Sequence, residues 1–382
     1  MRFRSRLFRW SKVAAAILLG LAFNIRLAVT SRAGWGVDFN QFYSASQLAG
    51  TGHLYEWDAL RKIESFHGIE VPTGRLPVVL YGHKILGILP YRMAHSVWIV
   101  LSVAALLVFA FVWPGTRRSL LMVALAWSTP VAFVILFGQD TPFWLMFFAV
   151  GLVLLQREKP WSAGVAFSLC ICKFHLALGI PVMLAAQKRW KPLIAGAVSV
   201  LLLLGLCFLI EGVQWPLRYS EMSQMPSFSP ATGVMPTISA FTDRLPWALP
   251  VEVLVAVAIL LLLWMICRVT VDIGIAGAAA SACGLLVGHH ALFADSALLI
   301  PLAVVTIQQN VPRWLKALGV LLISPAPFAL GSVLHKPLVW QIWIAPFVVA
   351  ALVARVIQAH QENTSEPILA TPLAPYPGSD KL

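Results

Sequence analysis

Charged residues are scarce in this chain of 382 residues: Asp, Glu, Lys and Arg make up 12% of it, whereas hydrophobic residues make up 59%. Acidic residues are fewer than basic residues, with 16 against 28. A soluble domain of this length could not bury so much apolar surface in one core. Apolar runs of about 17–22 residues, long enough to cross a bilayer, recur from end to end. The composition therefore predicts an all-α polytopic membrane protein.

The chain also lacks the short motifs of several enzyme classes. It has no HExxH, no paired CxxC, no Walker loop and no GxSxG, so ATP-driven and soluble-hydrolase chemistry have no support. The five cysteines all fall within apolar runs and fit small core residues rather than metal ligands. We expect no metal and no other cofactor, although an acid beside a lipid phosphate could recruit a divalent cation.

Basic residues lie mostly in short loops between the apolar runs, so the net charge of +12 indicates topology rather than a nucleic-acid partner. The N-terminal segment MRFRSRLFRWSK is predicted to be cytoplasmic. The apolar run after it resembles a signal peptide, but it continues to about Val29 and no A-x-A cleavage pattern follows. We therefore predict an uncleaved first span over residues 12–30.

The loop charges predict about twelve crossings with both termini in the cytoplasm. A single transmembrane domain is expected over residues 1–360, followed by a disordered cytoplasmic tail over 361–382. Residues 31–91 are too polar to cross, so we expect an extracytoplasmic loop whose helices lie on the membrane surface. A second extracytoplasmic loop, rich in Pro, Ser and Met and able to form a lid, is expected over 212–246. Further spans are predicted at about 93–113, 192–211, 247–267, 314–331 and 338–356. Between the first two of these, a third span follows WPGTRRS and ends at the external tip GQDTP (138–142), and a fourth returns to QREKPW at the inner side.

Two long apolar runs are interrupted by polar groups. The run from Trp161 to Ala186 precedes the basic loop QKRWK, so two half-crossings with a break near residues 172–175 keep that loop cytoplasmic. The run from about Gly274 to Gln309 is interrupted in the same way at the histidine pair that begins with His289. Both breaks are predicted to lie at the outer side of the membrane.

This topology places polar residues from five chain segments at one face of the membrane. Ionisable groups inside lipid are costly, so they usually point into a cavity and are paired. A shared polar site accounts for such convergence better than independent structural hydrogen bonds. The residues are Asp38, Gln139, Asp140, Lys173, His175, His289 and His290.

Acidic and basic groups at one external face suit a membrane enzyme that draws a lipid phosphate into a cleft. Lys173 or a protonated histidine would neutralise the phosphate of a leaving group, and Asp38 would take a proton from an incoming hydroxyl. Structural alternatives exist: Asp38 could cap a helix or pair with Arg32, and Lys173 could snorkel to the headgroups. Asp295 could pair with one of the histidines.

The order of these features resembles integral-membrane glycosyltransferases of the GT-C architecture, and more specifically glycosyltransferase family 87. That family includes mycobacterial polyprenol-phosphate-mannose-dependent mannosyltransferases. The resemblance covers most of the chain. Its stretches are DFNQFYSASQLAGTGHLYEWDAL (38–60), LPVVLYGHKILGILPYRMA (76–94), LFGQDTPFWLMFFAVGLVLL (136–155), AGVAFSLCICKFHLALGIPVMLAAQKRWKPLIAG (163–196) and GHHALFADSALLIPL (288–302).

The resemblance implies transfer of a sugar, with mannose favoured, from a polyprenyl-phosphate donor to a lipid or glycan acceptor. It assigns the catalytic acid of the first external loop to Asp38, which would activate the acceptor for an inverting displacement. It assigns phosphate contacts to Lys173 and to the late histidines His289 and His290, to which we add His175. Where the family often has a Tyr-Pro-Pro-like element, this chain has Tyr81-Gly82-His83.

Sugar or acceptor contacts are expected from polar and aromatic residues near this face. Gln139 and Asp140 could bind sugar hydroxyls, although an Asp before Thr-Pro is also an ordinary helix start. Trp35, Tyr43 and Tyr81 could stack on sugar rings or belong to the interfacial aromatic belt. The candidates for this role are Gln139, Asp140, Tyr43, Tyr81 and His83.

Two other classes of function remain open from the sequence. Interrupted helices with polar groups are also typical of transporters or lipid flippases, but no internal duplication is visible. A structural membrane subunit would leave the polar convergence unexplained. We expect a glycosyltransferase of the bacterial inner membrane, with its active site facing the periplasm or exterior.

Overall fold

The computed structural model describes residues 2–30, 36–65, 70–225, 228, 235–243, 245–333 and 343–365. In that part of the chain all regular structure is helical. Three 3-10 helices cover Leu86–Ile88, Leu169–Leu176 and Phe293–Leu299. The α-helices are α1 Arg2–Thr30, α2 Val37–Leu48, α3 Trp57–Glu64, α4 Pro77–His83, α5 Tyr91–Val112, α6 Arg118–Trp127, α7 Thr129–Phe137, α8 Thr141–Gln156, α9 Pro160–Ser168, α10 Gly179–Ala186, α11 Trp190–Glu211, α12 Trp215–Ser223, α13 Ser239–Thr242, α14 Ala248–Val269, α15 Ile273–Val287, α16 Ile300–Gln308, α17 Arg313–Leu322, α18 Ala326–Val333 and α19 Ile344–Ser365.

Four helices, α1, α5, α11 and α14, are long and apolar enough to cross a bilayer, and the pair α6–α7 would make a fifth if it is one span. These helices confirm the prediction of an all-α membrane protein. Their bounds agree within a few residues with the spans predicted at 93–113, 192–211 and 247–267. Helix length supports four or five full crossings, so the number of about twelve stays a prediction.

Both predicted interruptions are present. In the first, Lys173 leaves the helical region with φ −133° and ψ 66°, between α9 and α10. In the second, α15 ends at Val287, and helical structure resumes only at Phe293. Each run therefore consists of two short α-helices and a 3-10 helix, with polar side chains at or near the break.

The structure contains two further breaks where we predicted continuous spans. α6 and α7 meet at an angle of 67°, because Ser128 caps α7 and Pro130 cannot donate a hydrogen bond to the preceding turn. The span predicted over 314–331 is divided between α17 and α18, again directly before a proline, Pro325. The span predicted over 338–356 is represented by α19, since residues 334–342 lie outside the described residues.

The first loop is helical, as predicted, but its first helix is an internal element. Residues 39–46 of α2 are all buried, so this helix is enclosed by protein around its circumference instead of lying on a membrane surface. It packs against α3, α4, α5 and α7. The turn after α7 supports it: Gly138 has φ +76°, and a Cβ there would lie 2.5 Å from the Cβ of Phe39. Only glycine permits this close approach of α2 to the turn.

Several predictions fall partly outside the described residues. Arg32, Trp35 and residues 366–382 are not described, whereas α19 continues through Ser365 into the segment predicted as a tail. The predicted loop over 212–246 contains α12 and α13, and most of the stretch between them is undescribed. Its role as a lid stays a prediction.

Candidate active site

A buried charged cluster forms where broken parts of the chain meet. One member, Arg75, lies just before α4, and another, Asp38, lies in the first turn of α2. The α7–α8 turn supplies two members, Lys173 lies at the first break, and Asp295 lies in the 3-10 helix that follows the second. Turns, chain breaks and helix starts thus supply the side chains of the cluster. We call this the charged cluster: Asp38, Arg75, Gln139, Asp140, Lys173 and Asp295.

Arg75 and Asp140 form a bidentate ion pair. The Nε of Arg75 donates to Oδ2 of Asp140 at 2.7 Å, and its Nη2 donates to Oδ1 at 3.0 Å. The guanidinium also lies over the ring of Phe42, with its carbon 4.9 Å from the ring centre. Two parallel hydrogen bonds and a cation–π contact hold this arginine in one geometry.

Lys173 is enclosed by acceptors, and its side chain is only 1% exposed. Its Nζ lies 2.7 Å from both Oδ1 of Asp295 and Oε1 of Gln139, and 3.3 Å from Oδ1 of Asp140. Asp295 is held further by Thr141, whose hydroxyl donates to it at 2.8 Å. The three ammonium protons therefore have three acceptors inside the protein.

The cluster has three carboxylates but only two cations, and Asp38 is the carboxylate left without an ion-pair partner among them. Two cations and two acids neutralise each other in the ion pairs of Arg75 with Asp140 and Lys173 with Asp295. Burial raises the pKa of Asp38 to about 6, although the hydrogen-bonding side chain of Gln139 and the charges of Arg75 and Lys173 oppose the shift. This pKa is close to neutral pH, as suits a general base.

The pKa of Asp140 is shifted in the direction opposite to that of Asp38. Burial favours its neutral form, but Arg75 and Lys173 outweigh this effect and hold the pKa of Asp140 below its usual value. The two carboxyl groups thus have divergent proton affinities. This separation distinguishes Asp38, which can exchange a proton, from Asp140, which stays ionised.

The histidines divide into an inner pair and an outer residue. His175 and His290 are half-buried, and their ring centres lie 6.0 Å apart across the two chain breaks. The side chain of His289 is 76% exposed, and its Nδ1 lies 2.9 Å from Oε1 of Glu252 on α14. His289 therefore belongs to a surface pair, whereas the inner pair lies beside the cluster: electrostatic effects of Lys173 and Arg75 reach both of its rings.

Three candidates for sugar or acceptor contacts are engaged by other residues of the chain. The Tyr43 hydroxyl donates to the carbonyl of Leu89 at 2.8 Å, and the Tyr81 hydroxyl donates to Glu211 at 3.1 Å. The ring of His83 is buried, 4.5 Å from that of Trp98. Gln139 and Asp140, although in the cluster, are also buried, and Oε1 of Gln139 and the carboxylate of Asp140 already bind Lys173 and Arg75.

An apolar groove of about 570 Å³ begins beside the charged cluster. Leu76 follows Arg75 in the chain, and Phe174 follows Lys173; both line the groove. Its walls come from the broken run α9–α10 and from α11, and they are almost wholly hydrocarbon. Charge at one end and hydrocarbon along the length suit an amphiphilic ligand.

Two cluster residues were not identified as site residues from the sequence. Arg75 was not singled out, and Asp295 was assigned to a histidine, whereas its ion-pair partner is Lys173. A signal existed: an isolated acid inside an apolar run must find a cation, and Asp295 and Lys173 both stand in such runs. Among the described residues, no three His, Cys, Asp or Glu side chains are placed to hold a metal ion. All five cysteines are free thiols.

Comparison with known families decides the class of the protein. The family model of glycosyltransferase family 87 matches residues 77–296, more than half of the 382 residues. The chain belongs to this family. It is therefore a membrane glycosyltransferase, which implies a sugar donor and an acceptor. No curated protein and no solved structure matches the chain significantly.

The matched region of family 87 contains most of the charged cluster. Gln139, Asp140, Lys173 and Asp295 lie within residues 77–296, as do the inner histidines. Asp38 and Arg75 precede the match, and tertiary contacts join them to it. The candidate active site thus combines the matched region with the first loop.

Proposed function

We propose that this glycosyltransferase moves a hexose, with mannose the favoured sugar, from a polyprenyl-phosphate donor to a hydroxyl of a lipid or glycan acceptor. The observation that carries the proposal is the surplus carboxylate of Asp38 at the edge of a neutralised cluster. A carboxylate without its own cation, and with a pKa of about 6, is available to receive a proton at neutral pH.

In the proposed reaction, the acceptor hydroxyl loses its proton to Asp38 as its oxygen attacks the anomeric carbon. The bond between that carbon and the phosphate oxygen breaks, and polyprenyl phosphate leaves with the bonding electrons. Direct displacement inverts the anomeric configuration. No metal enters this scheme.

The leaving phosphate is assigned to the side of the cluster where His175 and His290 face each other. Both rings can donate a hydrogen bond to a phosphate oxygen, and Arg75 and Lys173 supply positive potential nearby. Lys173 is fully engaged with carboxylates and Gln139. Its proposed contribution to phosphate binding is therefore mainly the field of its charge and the positioning of its neighbours, rather than direct contact.

The isoprenoid chain of the donor is assigned to the apolar groove. Leu76 and Phe174 connect that groove to the cluster, and its hydrocarbon lining would let an isoprenoid chain pack there without the loss of any polar contact. The acceptor would approach from the first loop. We place this face outside the cytoplasm, because the basic loops lie at the opposite ends of the spans.

The test uses purified protein in nanodiscs, radiolabelled polyprenyl-phosphate sugars and a membrane lipid extract. Asp38→Asn should reduce transfer by about 10²- to 10⁴-fold without loss of folding. Asp58→Asn is the matched control, since Asp58 is an exposed acid on α3 of the same first loop. If Asp38→Asn still transfers sugar, Asp38 is not the general base, but the protein remains a glycosyltransferase.

A further inference from the structure

A second charged region lies at the start of α11, in the turn between α10 and α11. A pocket of about 310 Å³ opens there between this turn and the end of α14. Its lining includes three basic side chains, Lys188, Arg189 and Arg268. None of the residues that line it is acidic, and the three cations form no ion pair with any carboxylate in the described part of the chain.

Helix dipoles account for only part of this charge. α10 and α14 end at the pocket, and each C-terminus contributes roughly −0.5 of an elementary charge. α11 begins there and contributes roughly +0.5. Three full positive charges therefore exceed what the helix ends compensate, and an anion from outside the chain can balance the rest.

The pocket also contains a buried hydroxyl with no partner. Thr270 is 3% exposed and lines the pocket, and its Oγ1 makes no hydrogen bond among the described residues. Its backbone carbonyl accepts a hydrogen bond from Gln187 at 3.3 Å, and Gln187 in turn accepts one from Nε of Arg189 at 3.1 Å. A buried unpaired hydroxyl costs about 1–3 kcal/mol, which a ligand oxygen would recover.

The depth of the pocket matches that of lipid headgroups. α11 begins and α14 ends beside it, and both are full-length membrane-crossing helices. Trp190, at the start of α11, is 55% exposed, as is usual for aromatic residues at a membrane interface. The far end of α11 carries Glu211, which accepts a hydrogen bond from the backbone of Gly50, so the first loop lies about 30 Å away.

We infer that this pocket binds the phosphate group of an anionic phospholipid at the membrane face opposite the charged cluster. The cations hold the phosphate, the Thr270 hydroxyl donates to one of its oxygens, and the acyl chains lie along the apolar surfaces of α11 and α14. The site is independent of the proposed sugar transfer, since it shares no residue with the charged cluster.

Native mass spectrometry of the full chain in detergent, with added phosphatidylglycerol or phosphatidylcholine, tests this inference. Wild type should retain phosphatidylglycerol at least tenfold more strongly than phosphatidylcholine. The triple variant Lys188→Gln, Arg189→Gln, Arg268→Gln should lose that preference. A control with equal charge loss, Arg117→Gln, Arg118→Gln, Lys159→Gln, should keep it.

Thr270→Val separates a built site from a merely positive surface, because it changes no charge and little volume. It should weaken phosphatidylglycerol retention about threefold to tenfold, while the melting temperature of the lipid-free protein should be equal to or above that of wild type, because an unpaired buried hydroxyl is removed. Equal weakening in both triple variants and none in Thr270→Val would overturn the inference. Displacement of bound lipid by millimolar inorganic phosphate would reassign the pocket to free phosphate, contradicting a lipid site.

Discussion

The charged cluster and the pocket at the start of α11 carry charge in opposite ways. At the charged cluster, Lys173 is 1% exposed and lies between carboxylates, so every buried cation has a counter-charge from the same chain. At the pocket between α10 and α14, Lys188 and Arg268 are exposed and have no acidic partner in the described structure. Charges placed among apolar helices must be neutralised internally, whereas charges at a membrane face can be balanced by water, ions or lipid.

The largest effect that tests this contrast is expected from Lys173→Met. Removal of the ammonium leaves Asp140 and Asp295 buried without compensation on that side, which should cost about 3–5 kcal/mol of folding stability. Lys188→Met, in the turn before α11, should change stability by less than about 0.5 kcal/mol. Melting temperatures of both purified variants measure the difference; equal melting temperatures would refute internal neutralisation.

A smaller loss of folding stability is expected from a substitution at Gly138, in the turn that supports the helix of Asp38. Gly138→Ala introduces a side chain at φ +76° and pushes it against Phe39 of α2, with a combined cost of about 2–4 kcal/mol. Gly52→Ala shares the positive φ, +79°, but has nothing within 4 Å, so only the backbone strain of about 1–2 kcal/mol should appear. Chemical denaturation and sugar transfer should both be measured. If the two variants behave alike, contact with α2 at Gly138 does not position the base.

Activity is expected to fall in acid because Asp38 must be ionised to act as base. With a pKa of about 6, kcat/KM should decline about tenfold per pH unit below that value. The stability effect has the opposite sign: the folded pKa exceeds the ordinary value of 3.8, so the folded state binds the proton more tightly. Wild type should lose stability relative to Asp38→Asn as the pH rises from about 4 to about 6, and the difference should then level off. A pH-independent rate between 4 and 7 would contradict this assignment.

The smallest expected effect is the change in sugar transfer when either of the adjacent residues His289 and His290 is replaced. His290→Ala should lower transfer about tenfold, as expected when one stabilising contact of roughly 1.4 kcal/mol is lost. His289→Ala should stay within about twofold, because its side chain is 76% exposed and pairs with Glu252 at the surface. Initial rates at saturating donor measure both. A larger loss for His289→Ala would reverse the division into inner and outer histidines.

Sequence reasoning located the breaks in the chain better than it located the partners of the residues there. The interruption at Lys173 was predicted from the basic loop QKRWK, because the positive-inside rule requires an even number of crossings. The bend at Ser128 was missed, although Ser-Thr-Pro is a local signal for a new helix start. Arg75 was missed because no local pattern indicates that a loop arginine will meet an acid 65 residues away.

Composition and the spacing of apolar runs determined by themselves that this protein is helical and lies in a membrane, since each property depends on local hydrophobicity and length alone. The order of polar motifs along the chain also determined the family resemblance, which the match over 77–296 confirms. Only the tertiary structure decided which carboxylate is in surplus. The pairing of Arg75 with Asp140 and of Lys173 with Asp295 depends on contacts between distant segments, and those contacts leave Asp38 as the acid without a cation of its own.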